Sequence, residues 1–128
     1  MDKTKLRELY NKYELEPNDV FKHQHYVVLT RQAIDKIIAK EKLTIKYEVI
    51  VCTPEFCCFK AIVDNNGVYL ETFGSAKYGD FKSGNTQSHY IPEMAEKRAK
   101  SRATLTLTGF YELGVFGEDE SESFKKNG

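Results

Sequence analysis

Several features that would place the chain in a special class are missing. No stretch approaches the roughly 18 consecutive apolar residues of a membrane-spanning helix, and Met1 to Glu16 contain no apolar signal-peptide core. A cytoplasmic protein with no membrane partner is therefore expected. Charge of one sign is lacking too: 19 Lys and Arg balance 19 Asp and Glu, which excludes a chain that is basic all over and leaves room only for a local basic surface. Cysteine is scarce and odd in number, with Cys52, Cys57 and Cys58 alone. A secreted disulfide framework is not expected from such a set, and reduced thiols are. There is no P-loop, dinucleotide fingerprint, His-Glu-x-x-His run or nucleophile elbow. His23 and His25 lack the Cys-x-x-Cys pair that would complete a zinc site. The expectation is a non-enzyme with no cofactor, no metal and no catalytic residue.

What remains is one domain's worth of sequence, 128 residues of which 41% are hydrophobic and 30% charged. Leu6, Leu9, Tyr10 and Tyr13 recur at three and four, which predicts a helix over residues 5–14 that Pro17 ends. Thr30 is a candidate N-cap for a second helix that places Ile34, Ile37 and Ile38 on one face. Alternation from Thr44 to Cys52, the apolar run Phe56 to Val63 and the segment Gly67 to Ser75 predict three strands. Asp64-Asn65-Asn66-Gly67 supplies the turn between the second and third. A last helix is predicted from Ile91-Pro92-Glu93 to Thr108, before Gly109, with Ala95, Ala99, Ala103 and Thr106 forming a narrow stripe suited to close packing. The fold class is thus α+β: helix, three-stranded antiparallel β-meander, long loop, and a C-terminal helix packed across the sheet. The last eleven residues hold four of the acids and two of the bases, leaving 17 basic and 15 acidic groups in residues 1–117. The domain is expected to span residues 1–117, with 118–128 as a flexible acidic tail.

The segment 76–90 has no period and carries Lys77, Tyr78, Phe81 and Lys82. It leads into a helix bearing Lys97, Arg98, Lys100 and Arg102. Cations that follow a phosphate backbone, beside rings on which bases stack, hold single-stranded nucleic acid without reading its sequence. These eight residues are the candidate nucleic-acid site. The bland reading of the same residues is a solvated helix face, paired with Glu93 and Glu96, beside a loop.

The run Glu93-Met94-Ala95-Glu96-Lys97-Arg98-Ala99-Lys100-Ser101-Arg102-Ala103, continued by the aromatic and glycine residues from Phe110 to Gly117, resembles the helix of phage single-strand annealing proteins. These form the essential-recombination-function (Erf) family, with ring-forming eukaryotic relatives. In that superfamily such a helix follows a three-stranded meander and packs across it, and the resemblance covers roughly residues 30–117. It implies binding of single-stranded DNA by a ring or filament of subunits, in replication or recombination, with the strand lying against Arg98, Lys100, Arg102 and Lys97. The chain departs from the pattern in being shorter, in lacking a large extra domain and in carrying Thr104, Thr106 and Thr108. A small single-stranded DNA-binding relative is the reading those departures favour. Glu118 to Phe124 also looks similar to the acidic segments by which single-strand binders recruit replication or recombination partners. The competing expectation is a protein-interaction module that uses the alanine stripe and the acidic tail, without nucleic acid.

Overall fold

The computed structural model describes residues 2–79 and 83–121. Asp2 caps the first helix, α1 (Lys3–Lys12), by accepting from the Lys5 N–H at 3.1 Å. Its apolar stripe buries Leu6, and Tyr13 just beyond its end donates to Glu41 Oε1 at 3.2 Å. A hairpin follows, β1 (Val20–His23) and β2 (Tyr26–Leu29), paired antiparallel. Thr30 is the N-cap of α2 (Arg31–Glu41), its hydroxyl oxygen accepting from the Ala33 N–H at 3.2 Å. Ile34 and Ile37 of α2 join Leu6, Tyr13 and Leu29 in one apolar cluster.

The meander expected from the sequence is present as β3 (Ile45–Cys52), β4 (Phe56–Asn65) and β5 (Val68–Lys77), an antiparallel sheet in that order. Asn66 and Gly67, at φ 51° and 82°, make the two-residue reversal between the paired Asn65 and Val68, where a left-handed backbone is needed. Helix α3 (Ile91–Thr108) lies across one face and ends at Gly109, φ 92°. Ala95, Ala99 and Ala103 are fully buried against that face. The small residues permit an approach so close that a Cβ on Gly74 of β5 would stand 2.2 Å from the Ala99 nitrogen.

Three features depart from the sequence reading. A second sheet exists: β6 (Val115–Gly117) pairs in parallel with β2, giving the order β1-β2-β6. Glu118 to Ser121 form not a solvated tail but one helical turn, α4 (Glu118–Ser121), with Asp119 and Glu120 buried. Residues 122–128 lie outside the described residues. Cys52 and Cys57 are disulfide-bonded rather than reduced, because the β3–β4 register sets them directly opposite with Cα atoms 4.1 Å apart; Cys58 is free. No helix among the described residues is long and apolar enough to cross a membrane.

Candidate nucleic-acid interface

The β3–β5 sheet has one covered face and one open face. In β5 the residues alternate strictly: Thr72, Gly74 and Ala76 are buried under α3, whereas Tyr69, Phe73 and Lys77 point the other way and are exposed. The ladder sets Lys60 opposite Phe73, and Val51 opposite Cys58 on the same side. Tyr69 is 59% and Phe73 48% exposed, too open for core residues of their size. Lys60 Nζ lies between Glu48 and Glu71, at 3.5 and 3.7 Å. The sequence reading places a strand at Gly67 to Ser75 without separating its two faces, so this aromatic face is not among its candidates. The signal was available, since Tyr69 and Phe73 share the parity of Lys77 in a period of two.

Of the eight residues singled out from the sequence, the six described ones are dispersed rather than gathered in one trough. Lys77 is exposed at the end of β5, its backbone N–H donating to Asn85 Oδ1 at 2.7 Å. Tyr78 is half-exposed and stacks on His89, ring centroids 5.1 Å apart. Phe81 and Lys82 lie outside the described residues.

On α3 the expectation of an open cationic side is corrected. Arg98 is buried at 4% exposure. Its Nε donates to the Asp119 carbonyl at 2.9 Å, one terminal nitrogen to the Ser75 carbonyl and Asn85 Oδ1, and the other to the Asn85 carbonyl. It is a clasp joining α3, β5, the 83–90 segment and α4. The reason lies in helix geometry: a residue three after Ala95 stands about 60° from it and falls beside the buried stripe. Arg102 bonds Glu120 Oε2 at 3.2 Å and lies over the Tyr111 ring, 5.9 Å from its centroid. Lys100 pairs with Asp35 at 2.8 Å. Lys97 carries no ion pair among the described residues.

A residue the sequence reading passed over, Arg31 at the start of α2, bonds Asp119 Oδ1 at 2.6 Å, and its backbone N–H donates to Glu118 Oε1. Burial costs the Glu120 carboxylate more than Arg102 returns, so its pKa stands above the ordinary carboxylate value. The alanine stripe, which the competing reading needs at the surface, is covered by the sheet.

Two cavities frame this arrangement. One, of about 160 Å³, has Phe73, Ser75 and Cys58 of the sheet on one side and Arg98, Arg102 and Glu120 on the other. The second, about 150 Å³, lies in the cleft between α2 and α3 and is lined by Arg31, Asp35, Lys97, Lys100 and Asp119. The half-exposed Arg102 side chain and the exposed Phe73 ring thus line one opening, with the Glu120 carboxylate that pairs with Arg102 in the same wall. Comparison with family models, with curated proteins and with solved structures gives no match.

Proposed function

We propose that the chain binds single-stranded DNA with little sequence preference, the strand running over the open face of the β3–β5 sheet and past the Phe73–Arg102 opening. The observation that carries the reading is the pairing of an exposed aromatic ring with a solvent-reaching guanidinium across one cavity, Phe73 at 48% exposure and the Arg102 side chain at 42%. Tyr69 extends the aromatic row, and Lys77 lies at its far end on the same side of β5. The resemblance of α3 and its continuation to the Erf family points the same way, and gives strand annealing in recombination as the activity such binding would serve. Assembly of copies along the strand is part of the proposal, because β3 and residues 69–73 of β5 lack a neighbouring strand on their outer sides among the described residues.

Fluorescence anisotropy with a labelled oligothymidylate tests it. Binding is expected at about 50 mM salt and should weaken steeply toward about 200 mM as phosphate contacts give way to counterions. Phe73→Ala should weaken it by roughly 5- to 150-fold, the loss of one stacked base at about 1–3 kcal/mol. No binding at the lower salt, or full affinity in a folded Phe73→Ala protein, overturns the reading.

A further inference from the structure

The cavity between α2 and α3 is built from two facing helical surfaces. Arg31 and Asp35 stand one turn apart on α2, as do Lys97 and Lys100 on α3, and their side chains converge on about 150 Å³ that Asp119 closes from α4. Three cations meet two carboxylates there, and both carboxylates are already engaged. Asp35 is held by Lys100 across the cleft at 2.8 Å, and Asp119 by Arg31 Nε at 2.6 Å. Glu118, outside the cavity, takes the Arg31 backbone N–H and leaves its side chain alone. What the fold does not use is cationic: among the described residues the two terminal nitrogens of Arg31 have no hydrogen-bond partner, and Lys97 has no ion pair. The Arg31 side chain is 55% exposed and Lys97 is half-buried, so both are reached from water. A guanidinium edge with two parallel N–H groups, beside one ammonium, is a donor set for phosphate: the fork matches two oxygens and the point charge takes a third.

We propose that the α2–α3 cleft binds one phosphate monoester group, with the Arg31 terminal nitrogens and the Lys97 ammonium as its donors. A monoester fits better than a phosphodiester inside a strand. It offers three unsubstituted oxygens, one for each unused donor, where a diester offers two. The cavity is also bounded by α2, α3 and α4, so a chain that enters it ends there. No internal contact is broken on binding, because every donor assigned to phosphate is one the fold leaves unused. The group can arrive as a free phosphate or mononucleotide, or as the terminal phosphate of a single strand; only the second source rests on the single-strand reading.

Calorimetric titration of the full chain with inorganic phosphate, against chloride of equal ionic strength, tests the site. A dissociation constant of about 1 mM is expected, that of a small anion held by a few charge-assisted bonds. Lys97→Gln should weaken binding about tenfold, and Arg31→Lys, which keeps the charge and loses the fork, by a similar factor. Lys42→Gln, the same loss of charge at the far end of α2, should leave it unchanged. Lys97 has no ion pair to lose, so its variant reports on binding rather than folding. Absence of binding at about 10 mM phosphate, or equal binding by Lys97→Gln and the unsubstituted chain, overturns the site. An equal loss in Lys42→Gln overturns it as well, as a general charge effect. Oligothymidylates with and without a terminal phosphate separate the two sources. Binding about fivefold tighter for the 5′- or 3′-phosphorylated form, with the difference lost in Lys97→Gln, assigns the end of a strand. Equal affinity of all forms beside intact phosphate binding assigns a free phosphate or mononucleotide. Phosphate binding without oligonucleotide binding of any form overturns the single-strand reading and leaves the cleft standing. Oligonucleotide binding without any response to terminal or inorganic phosphate overturns the cleft and leaves the single-strand reading standing.

Discussion

Gly74 and Arg98 hold α3 in place by opposite means, one by leaving room and the other by filling it. The Cα of Gly74 faces the helix backbone so closely that an added methyl would meet the Ala99 nitrogen at 2.2 Å and the Ala95 carbonyl oxygen at 2.6 Å. Backbone atoms on both sides cannot swing aside, so Gly74→Ala should cost at least the 1–3 kcal/mol typical of an overpacked core, about that much measured by urea unfolding. Arg98 spends its guanidinium on carbonyl and amide oxygens from three separate segments. Arg98→Ala would take a donor from the Ser75, Asn85 and Asp119 carbonyls and leave Asn85 Oδ1 with the Lys77 N–H, and a loss of about 3–5 kcal/mol is expected. Arg98→Lys should recover only part of it, because a point ammonium cannot reproduce the planar fork. If Arg98→Ala lowered DNA affinity while leaving the unfolding midpoint untouched, the clasp would be the wrong account of this residue. Asp19 makes the comparable test by pH. Burial pushes its carboxyl up, but the Glu16 N–H and the Lys36 ammonium, 2.6 Å away, outweigh it and hold the pKa below the ordinary carboxylate value. A lowered folded-state pKa contributes stability above the unfolded value, about 4, that is lost as pH falls through the folded one. The unfolding midpoint should therefore decline below about pH 4, and less so in Asp19→Asn.

At the scale of elements, the β3–β4 hairpin is stapled near its turn by Cys52–Cys57, a link between register partners. Such a bridge closes a short loop, for which chain-entropy arguments give about 2 kcal/mol. Thiol titration of the unfolded, unreduced chain should find Cys58 alone, and titration after reduction should find all three. Three thiols without reductant would remove the staple. The same hairpin shows what the sequence makes legible. Period-two alternation, the Asn66-Gly67 turn and the Thr30 and Gly109 caps locate β3, β4, β5, α2 and α3 to within a few residues, because each signal is local. The sheet β1-β2-β6 was not legible: its strands have three or four residues, too few for a period, and β6 lies 88 positions beyond the β2 residues it joins, Val28 pairing with Phe116 at a representative step. Of the candidate site, the residue types were legible and their surroundings were not. Cation and aromatic content pointed to α3 and the segment before it, yet no local pattern discloses that Asp119 and Glu120 fold back upon Arg31 and Arg102.

The whole molecule presents one further asymmetry. The small sheet is enclosed by α1, α2 and the end of α3, and its cluster includes the largest buried side chain, Phe110. The larger sheet is covered on one face only; its β3 edge is free, and its β5 edge is free up to Phe73, beyond which Arg98 and Asn85 bond the Ser75 and Lys77 backbone. Along β3, Tyr47, Val49, Ile50 and Val51 are exposed in near succession at 37, 56, 49 and 38%, on both faces of one strand, because α3 lies over β4 and β5 and scarcely reaches β3. Natural edge strands are ordinarily guarded by charge, proline or a cover. Glu48, the fourth residue of β3, and the register irregularity between Val49 and Val51 interrupt this edge, while the run 49–51 itself has no charge, proline or cover. The other edge of the sheet is open over residues 69–73 of β5, its far part being taken by Arg98 at the Ser75 carbonyl and by Asn85 and Thr86 at Lys77, and that open stretch in a second copy is the surface able to cover β3. Joining β3 of one copy to β5 of the next uses two different surfaces, so the contact repeats until it closes into a ring or continues as a filament. Sedimentation should accordingly find the chain larger than a monomer, and Ile50→Lys combined with Val49→Lys should return it to a monomer with its unfolding midpoint nearly unchanged, since both positions are solvent-facing within the subunit. A monomer that weakened its hold on a long oligothymidylate far more than on a short one would tie assembly to the length of strand covered. A lysine-bearing edge that left the sedimentation of the chain unaltered would place the contact between copies elsewhere.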